Sequence, residues 1–354
     1  MAAREKTRRI HVGPVAVGGG APVSVQSMAN TDTRDAAATL AQIERLRAAG
    51  CEIVRVALPD ADCVKPLAAI CAASPLPVVA DIHFDYRLAL DAVAAGAAKI
   101  RINPGNIGAP ERVRAVADAC RAAGLPIRVG VNGGSLPRET LAKHGGVTAA
   151  GMAEAALAQV ALLHTFDFED ICVALKASDA ALTVAACRVF AAQSDLPLHI
   201  GVTEAGTAYH GIVKSAVGLG ALLLDGLGDT LRVSLTADPV EEVRAGLAIL
   251  KGAGLRQKGV NLISCPTCGR CRVDLPALAA EVERRLAGVE KPLTVAVMGC
   301  AVNGPGEARH ADAGVAGGDG EGLLFCRGAI VGKVPQARIA DELVRLVEAL
   351  AADS

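Results

Sequence analysis

The chain has no tryptophan, two tyrosines and five phenylalanines among 354 residues. An aromatic-lined binding surface is therefore a poor expectation. Charge of one sign is also missing: 36 Lys and Arg stand against 37 Asp and Glu, a net charge of -1. No global field exists to attract nucleic acid or an anionic membrane, so an anionic ligand must be caught by local clusters of Arg and Lys. No uninterrupted apolar run approaches the roughly 18–20 residues of a membrane span. The start, Met1 to His11, is basic and polar with no apolar core behind it, which argues against a secretory signal. The expected location is the cytoplasm. A Gly-rich dinucleotide fingerprint after the first strand is absent too, which weakens an open doubly wound sheet.

What is present is an apolar content of 52%, mostly Ala, Val and Leu. That composition suits tightly packed helices around a parallel sheet. Up to about residue 250, short β-branched runs alternate with Ala-rich segments of helical period. The runs begin near Val23, Ile53, Val78, Lys99, Ile127, Ile171, Leu198 and Leu231. Pro22, Pro77, Pro126 and Pro197 precede four of them, and Gly50, Gly96 and Gly124 close preceding helices. Eight β/α units in about 250 residues match a closed (β/α)8 TIM barrel. Residues 1–250 are thus expected to form the barrel and 251–260 a linker. Residues 261–354 are expected to form a smaller α+β unit carrying the clustered cysteines.

In such a barrel, chemistry sits at the carboxyl ends of the strands. Read in order, those ends give Gln26 and Ser27, Arg55, Asp81 and His83, Arg101 with Asn103, then Arg128 with Asn132. Lys176, Thr203 with Glu204, and Ser234 complete the circuit. One charged strand end is ordinarily just a solvated one. Three Arg, one Lys and one His on one rim would neutralise several phosphate charges, because guanidinium meets phosphate oxygens bidentately. A small diphosphate fits that count. Glu204 and His83 are then the groups for proton transfer or for holding hydroxyls; an ion pair to a neighbouring Arg is the plain alternative for Glu204.

The 11 cysteines are an odd number in a chain where no export signal is expected, so disulfides are a poor explanation. Cys51, Cys63, Cys71, Cys120, Cys172, Cys187 and Cys326 lie in apolar stretches and read as core packing. Cys265-Pro-Thr-Cys268 and Cys300 are different, since two thiolates on a tight loop and a third after another strand can meet. The Gly/Pro-rich turn from Asn303 to Gly306 could bring Glu307 back to them. Structural zinc is one reading of this set. Iron–sulfur is the other, favoured by the missing second ligand pair of a zinc ribbon and by the Cys-x-x-Cys-x-x-Cys run to Cys271. Three thiolates and one carboxylate would leave one iron able to exchange its oxygen ligand.

Five segments carry a resemblance. They are Val25–Thr33, Lys99–Asn106, Gly201–Gly206, Ser264–Gly269 and Asn303–Ala308. In this order they closely resemble the 4-hydroxy-3-methylbut-2-enyl diphosphate synthase family of the non-mevalonate isoprenoid pathway. The resemblance implies a TIM barrel followed by a ferredoxin-like [4Fe–4S] domain. It implies reductive opening of 2-C-methyl-D-erythritol 2,4-cyclodiphosphate with electrons from flavodoxin or ferredoxin. Cluster ligands would fall on Cys265, Cys268, Cys300 and Glu307. Substrate-binding and catalytic positions would fall on Arg55, His83, Arg101, Asn103, Arg128, Asn132, Lys176, Thr203, Glu204, Ser234 and Asn303. A homodimer is implied, with one subunit's cluster domain over the other's barrel mouth. Cys271 departs from the family pattern, and puts the fourth cluster ligand in question.

Overall fold

The computed structural model describes residues 4–300 and 310–353. They divide into two compact units between Arg256 and Gln257.

In the first unit the β-branched runs become eight parallel strands: β3 Ser24–Met28, β4 Ile53–Ala57, β5 Val78–Asp81, β6 Lys99–Ile102, β7 Ile127–Asn132, β8 Ile171–Lys176, β9 His199–Ile200 and β10 Thr230–Leu231. Each starts within a residue of its expected position. The strands pair in the order β8-β7-β6-β5-β4-β3-β10-β9, and a parallel bridge between Val173 and Leu198 joins the two ends. The barrel is closed. Several helices between strands start where an aspartate side chain accepts an otherwise orphaned N–H, as Asp35, Asp179 and Asp238 do. Helix α5 (Pro110–Ala123) stops at Gly124, whose φ of 65° is the left-handed conformation glycine tolerates best.

A short antiparallel hairpin, β1 Ile10–Val12 with β2 Val15–Val17, precedes the barrel. It was hidden in the sequence, where two three-residue strands give too few alternations to stand out. Its Ile10, Val12 and Val17 pack with Ile53, Val79 and Cys172 from inside the lower barrel, and so form a floor.

The strand registers, with the shear of about eight typical of this barrel, sort inward side chains into layers of four. Lowest are Ile53, Lys99, Cys172 and Thr230. Gln26, Val79, Arg128 and His199 come next, then Arg55, Arg101, Ala174 and Arg232. Above them lie Met28, Asp81, Gly130 and Gly201, and near the mouth Ala57, Asn103, Lys176 and Ser234. An ordinary barrel fills these layers with branched aliphatics. This one is aliphatic outside the strands and polar within.

The second unit is a five-stranded sheet in sequential order: β11 Val260–Ser264, β12 Leu293–Met298, β13 Ala313–Gly317, β14 Glu321–Cys326 and β15 Ala329–Pro335. β11, β12 and β13 pair in parallel, and the β13–β14 and β14–β15 pairs are antiparallel. Helices Leu275–Leu286 and Ile339–Ala352 cover it, burying Val282, Leu286, Leu343 and Val347 against Val295, Val297 and Val315. Of the cysteines read as packing, Cys51, Cys63, Cys120, Cys172 and Cys187 are buried, while Cys71 and Cys326 sit at the margins of the two cores.

Candidate active site

The upper barrel gathers cations around one carboxylate. Asp81, at the end of β5, is only 3% exposed. Its Oδ1 accepts from Arg101 Nη1 at 2.9 Å, and its Oδ2 lies 3.6 Å from Arg55 Nε and 3.6 Å from His83 Nε2. Burial opposes charge on Asp81, yet Arg55, His83, Arg101 and Arg128 outweigh it and hold the carboxyl well below the usual range. For Arg55 the balance tips the other way. Burial, helped by repulsion from Arg232 and Arg101, pulls its guanidinium down to about 10 despite Asp81. Arg128 and Lys176 are held well below their ordinary values by burial and by their cationic neighbours.

Two glycines make room for this crowd. A Cβ on Gly130 would stand 3.1 Å from Arg101 Nε, and a Cβ on Gly201 would stand 2.8 Å from Lys176 Nζ. Arg101 therefore rises from the layer below, and Lys176 leans down from the layer above, into space that any side chain would take. Met28 shares that layer, and its sulfur accepts from Arg55 at 2.9 and 3.1 Å. Three cations, Arg55, Arg101 and Lys176, converge on one tier that carries a single carboxylate, Asp81.

Most residues expected at the mouth are there. Arg101, Asn103, Arg128 and Lys176 are buried, with Asn103 Oδ1 held by Gln159 of helix α7 (Ala149–His164) at 3.2 Å. Asn132, Thr203 and Ser234 are half-buried, and His83 and Glu204 are exposed. Glu204 has a φ of 53°, in the left-handed region. A non-glycine residue holds that conformation at a cost of about 1–2 kcal/mol, and such strain gathers at functional sites.

Two strand ends need correction. Gln26 and Ser27 lie below the rim, because β3 runs on to Met28; Gln26 faces inward, and Ser27 faces outward to donate to Glu242 Oε2 at 3.1 Å. Arg232 was overlooked. It follows β10 directly and faces inward, bidentate to Glu242 at 3.1 and 3.2 Å, with Nη1 3.6 Å from the Met28 sulfur. Alternation alone would have found it, since Leu231 and Val233 are apolar and flank it.

In the second unit, β11 and β12 are parallel neighbours with Ser264 opposite Val297. Cys265 and Cys300 thus follow adjacent strand ends, and the Gly299 amide donates to Cys265 Sγ at 3.3 Å. The cysteine loop closes on the same glycine, where the Arg272 amide donates to the Gly299 carbonyl at 2.9 Å. Exposed Cys268 is drawn below the ordinary thiol value, first by the Arg270 amide and then by its guanidinium. Cys271 donates to the Val273 carbonyl at 3.1 Å, and its sulfur fills the notch over Gly299, where a Cβ would come within 2.5 Å. Amides aimed at sulfur and a stabilised thiolate suit a soft metal centre. Among the described residues no three His, Cys, Asp or Glu side chains are already drawn together as a metal site. Asn303 and Glu307 lie outside the described residues.

Comparison with known proteins adds a second line. Residues 7–247 match the GcpE TIM-barrel domain and residues 261–349 the GcpE protein C-terminal domain. A protein of Geobacter sulfurreducens is 60% identical over 350 residues, covering 99% of both chains. A Geobacillus kaustophilus protein is 54% identical over 98% of this chain and 93% of its own. One from Ruminiclostridium cellulolyticum is 52% identical over 97% of each. All three are called 4-hydroxy-3-methylbut-2-en-1-yl diphosphate synthase (flavodoxin).

Proposed function

The chain belongs to the GcpE family, and from that premise we propose how its residues carry out the reaction its relatives are named for. The protein is an oxidoreductase of isoprenoid biosynthesis. It converts 2-C-methyl-D-erythritol 2,4-cyclodiphosphate to (E)-4-hydroxy-3-methylbut-2-enyl diphosphate. The cyclic dianion takes up two electrons and a proton, and leaves as an open-chain trianion plus water.

That charge balance is what the cation tier answers. Arg55, Arg101, Arg128, Lys176 and Arg232 bind the diphosphate, with Asn103, Asn132, Thr203 and Ser234 placing its remaining oxygens. As the ring C–O bond breaks, its electron pair goes to the phosphate oxygen, and the substrate gains a negative charge. Cations fixed in a dry barrel stabilise that charge far better than water does, without reorganising as it forms. Asp81 orients Arg55 and Arg101 and keeps His83 turned to the site. Glu204 delivers the proton to the departing hydroxyl, and the carbon skeleton leaves as the allylic alcohol diphosphate. The observation that carries this reading is the convergence of cations on the Gly130–Gly201 tier.

The residues of the second unit that would hold a [4Fe–4S] cluster are Cys265, Cys268, Cys300 and Glu307. When bound, such a cluster supplies electrons singly and a Lewis-acidic iron. Cys271, engaged with Val273 and Gly299, stays outside this ligand set. Flavodoxin or ferredoxin is the electron donor, and the setting is cytoplasmic.

The working form is a homodimer. Its support is an apolar stripe on helix α9 (Ala208–Leu224), where Tyr209, Val213, Val217 and Leu224 are all exposed and lie within an arc of about 80° at 100° per residue.

The test is anaerobic turnover of the cyclic diphosphate with a chemical reductant, alongside metal analysis. Brown protein containing iron and sulfide that releases the open-chain diphosphate is expected. Colourless zinc protein without turnover would sink the reading.

A further inference from the structure

Beneath the cation tier lies a set of polar groups of which only Arg128 also serves the reaction. Lys99 Nζ, both amide atoms of Gln26, both ring nitrogens of His199, and Arg128 Nε and Nη1 have no protein hydrogen-bond partner. All four side chains are at most 2% exposed. They occupy the two lowest layers and face one axis between the hairpin floor and the Arg55–Arg101–Arg232 layer. One buried polar group without a partner is a local oddity. Four that face each other call for bound water or a ligand, because each unsatisfied group costs about 1–3 kcal/mol, more when charged.

Charge identifies the ligand. Lys99 and Arg128 have no carboxylate within ion-pair distance among the described residues. Asp81 spends its oxygens on Arg101, Arg55 and His83. Asp229, at the lower end, is engaged by the Leu198 amide and the Thr7 hydroxyl. Cys172 shares the Lys99 layer, but burial pushes its thiol up, so it supplies no negative charge. Burial draws Lys99 down to about 8, which leaves it an ammonium at neutral pH. His199 is kept neutral by burial and by the surrounding cations, and offers a single N–H. Donors outnumber acceptors, and positive charge stands uncompensated.

We propose that the lower barrel holds a resident monovalent inorganic anion, of halide size, bound by Lys99, Arg128, Gln26 and His199. The anion compensates the buried cations and braces Arg128 from below. It lies below the diphosphate site, shares Arg128 with it, and does not depend on the reaction assigned above.

The test is an anomalous-difference map at the bromine edge from holoenzyme crystals grown in sodium bromide. The expected result is a peak on the barrel axis within about 3.5 Å of Lys99 Nζ, lost in Lys99→Met and kept when diphosphate fills the mouth. If Lys99→Met does not fold, Gln26→Leu takes its place, with occupancy expected to fall at least twofold. Bromide in the mouth alone, an adventitious ion only, overturns the proposal. So does density around Lys99 that refines as water in every crystal. The map is read without turnover, so it stands or falls apart from the enzymatic assignment.

Discussion

Glu204 and Asp81 show how differently two acids of one site are held. Glu204 is exposed and strained at φ 53°. Glu204→Gln should leave the absorption spectrum of the bound cluster unchanged and cut turnover at least a hundredfold, in line with the loss of a general acid. Glu204→Asn should also be inactive, yet stabilise the fold by about 0.5–1 kcal/mol, because Asn tolerates the left-handed region; urea midpoints measure it. Asp81 is buried and surrounded by cations, and Asp81→Asn should cost about 3–5 kcal/mol by leaving them uncompensated. Because its folded pKa lies below the unfolded value of about 4, its contribution is complete above that value and fades as pH falls. The wild-type urea midpoint should therefore drop more steeply than that of Asp81→Asn between about pH 4.5 and pH 2.5. Parallel curves would remove Asp81 from the acid response.

At the scale of elements, the register matters more than the residue types. Eight runs of Val, Ile and Leu announced the strands, and Gly and Pro announced where helices stopped. What the sequence did not reveal was height along the barrel axis. Arg232 was marked only by the apolar residues on either side of it, because the eighth strand, Thr230–Leu231, ends before it. Gly130 and Gly201 escaped because a glycine in a strand reads as a weakness until the cation that needs its space is seen. Gly130→Ala places a methyl 3.1 Å from Arg101 Nε, which must move while the backbone need not. The expected outcome is a KM for the cyclic diphosphate raised about tenfold, with the thermal midpoint lowered by less than about 4 °C. Steady-state kinetics and a melting curve suffice. Gly201→Ala is harsher, since its Cβ would also come within 2.6 Å of the Arg232 carbonyl, and it should unfold more readily.

At the scale of the whole molecule, the two-unit order, barrel first and sulfur-bearing sheet second, was legible from the repeat of β/α units and from where the clustered cysteines fall. The proposed ligand set rests on resemblance, because chain spacing does not say which carboxylate turns back to three thiols. The proposed homodimer rests on the exposed α9 stripe, and exposure is a property that sequence alone does not give. Val217→Glu puts a charge at its centre. Sedimentation should show the dimer falling to monomer at micromolar concentration, with the circular dichroism of the barrel unchanged. A dimer of undiminished stability would move the interface elsewhere.

The hairpin Ile10–Val17 gives the barrel a stoppered end, with its apolar residues plugging the strand starts. Whatever enters must leave by the way it came. The departing diphosphate carries more negative charge than the ring that entered, so it must pull away from the very side chains that made its formation easy. Retention of the outgoing molecule thus rises with the same electrostatic strength that speeds bond cleavage. In this architecture the exit step, rather than the chemistry, feels the ionic strength of the surrounding solution most keenly.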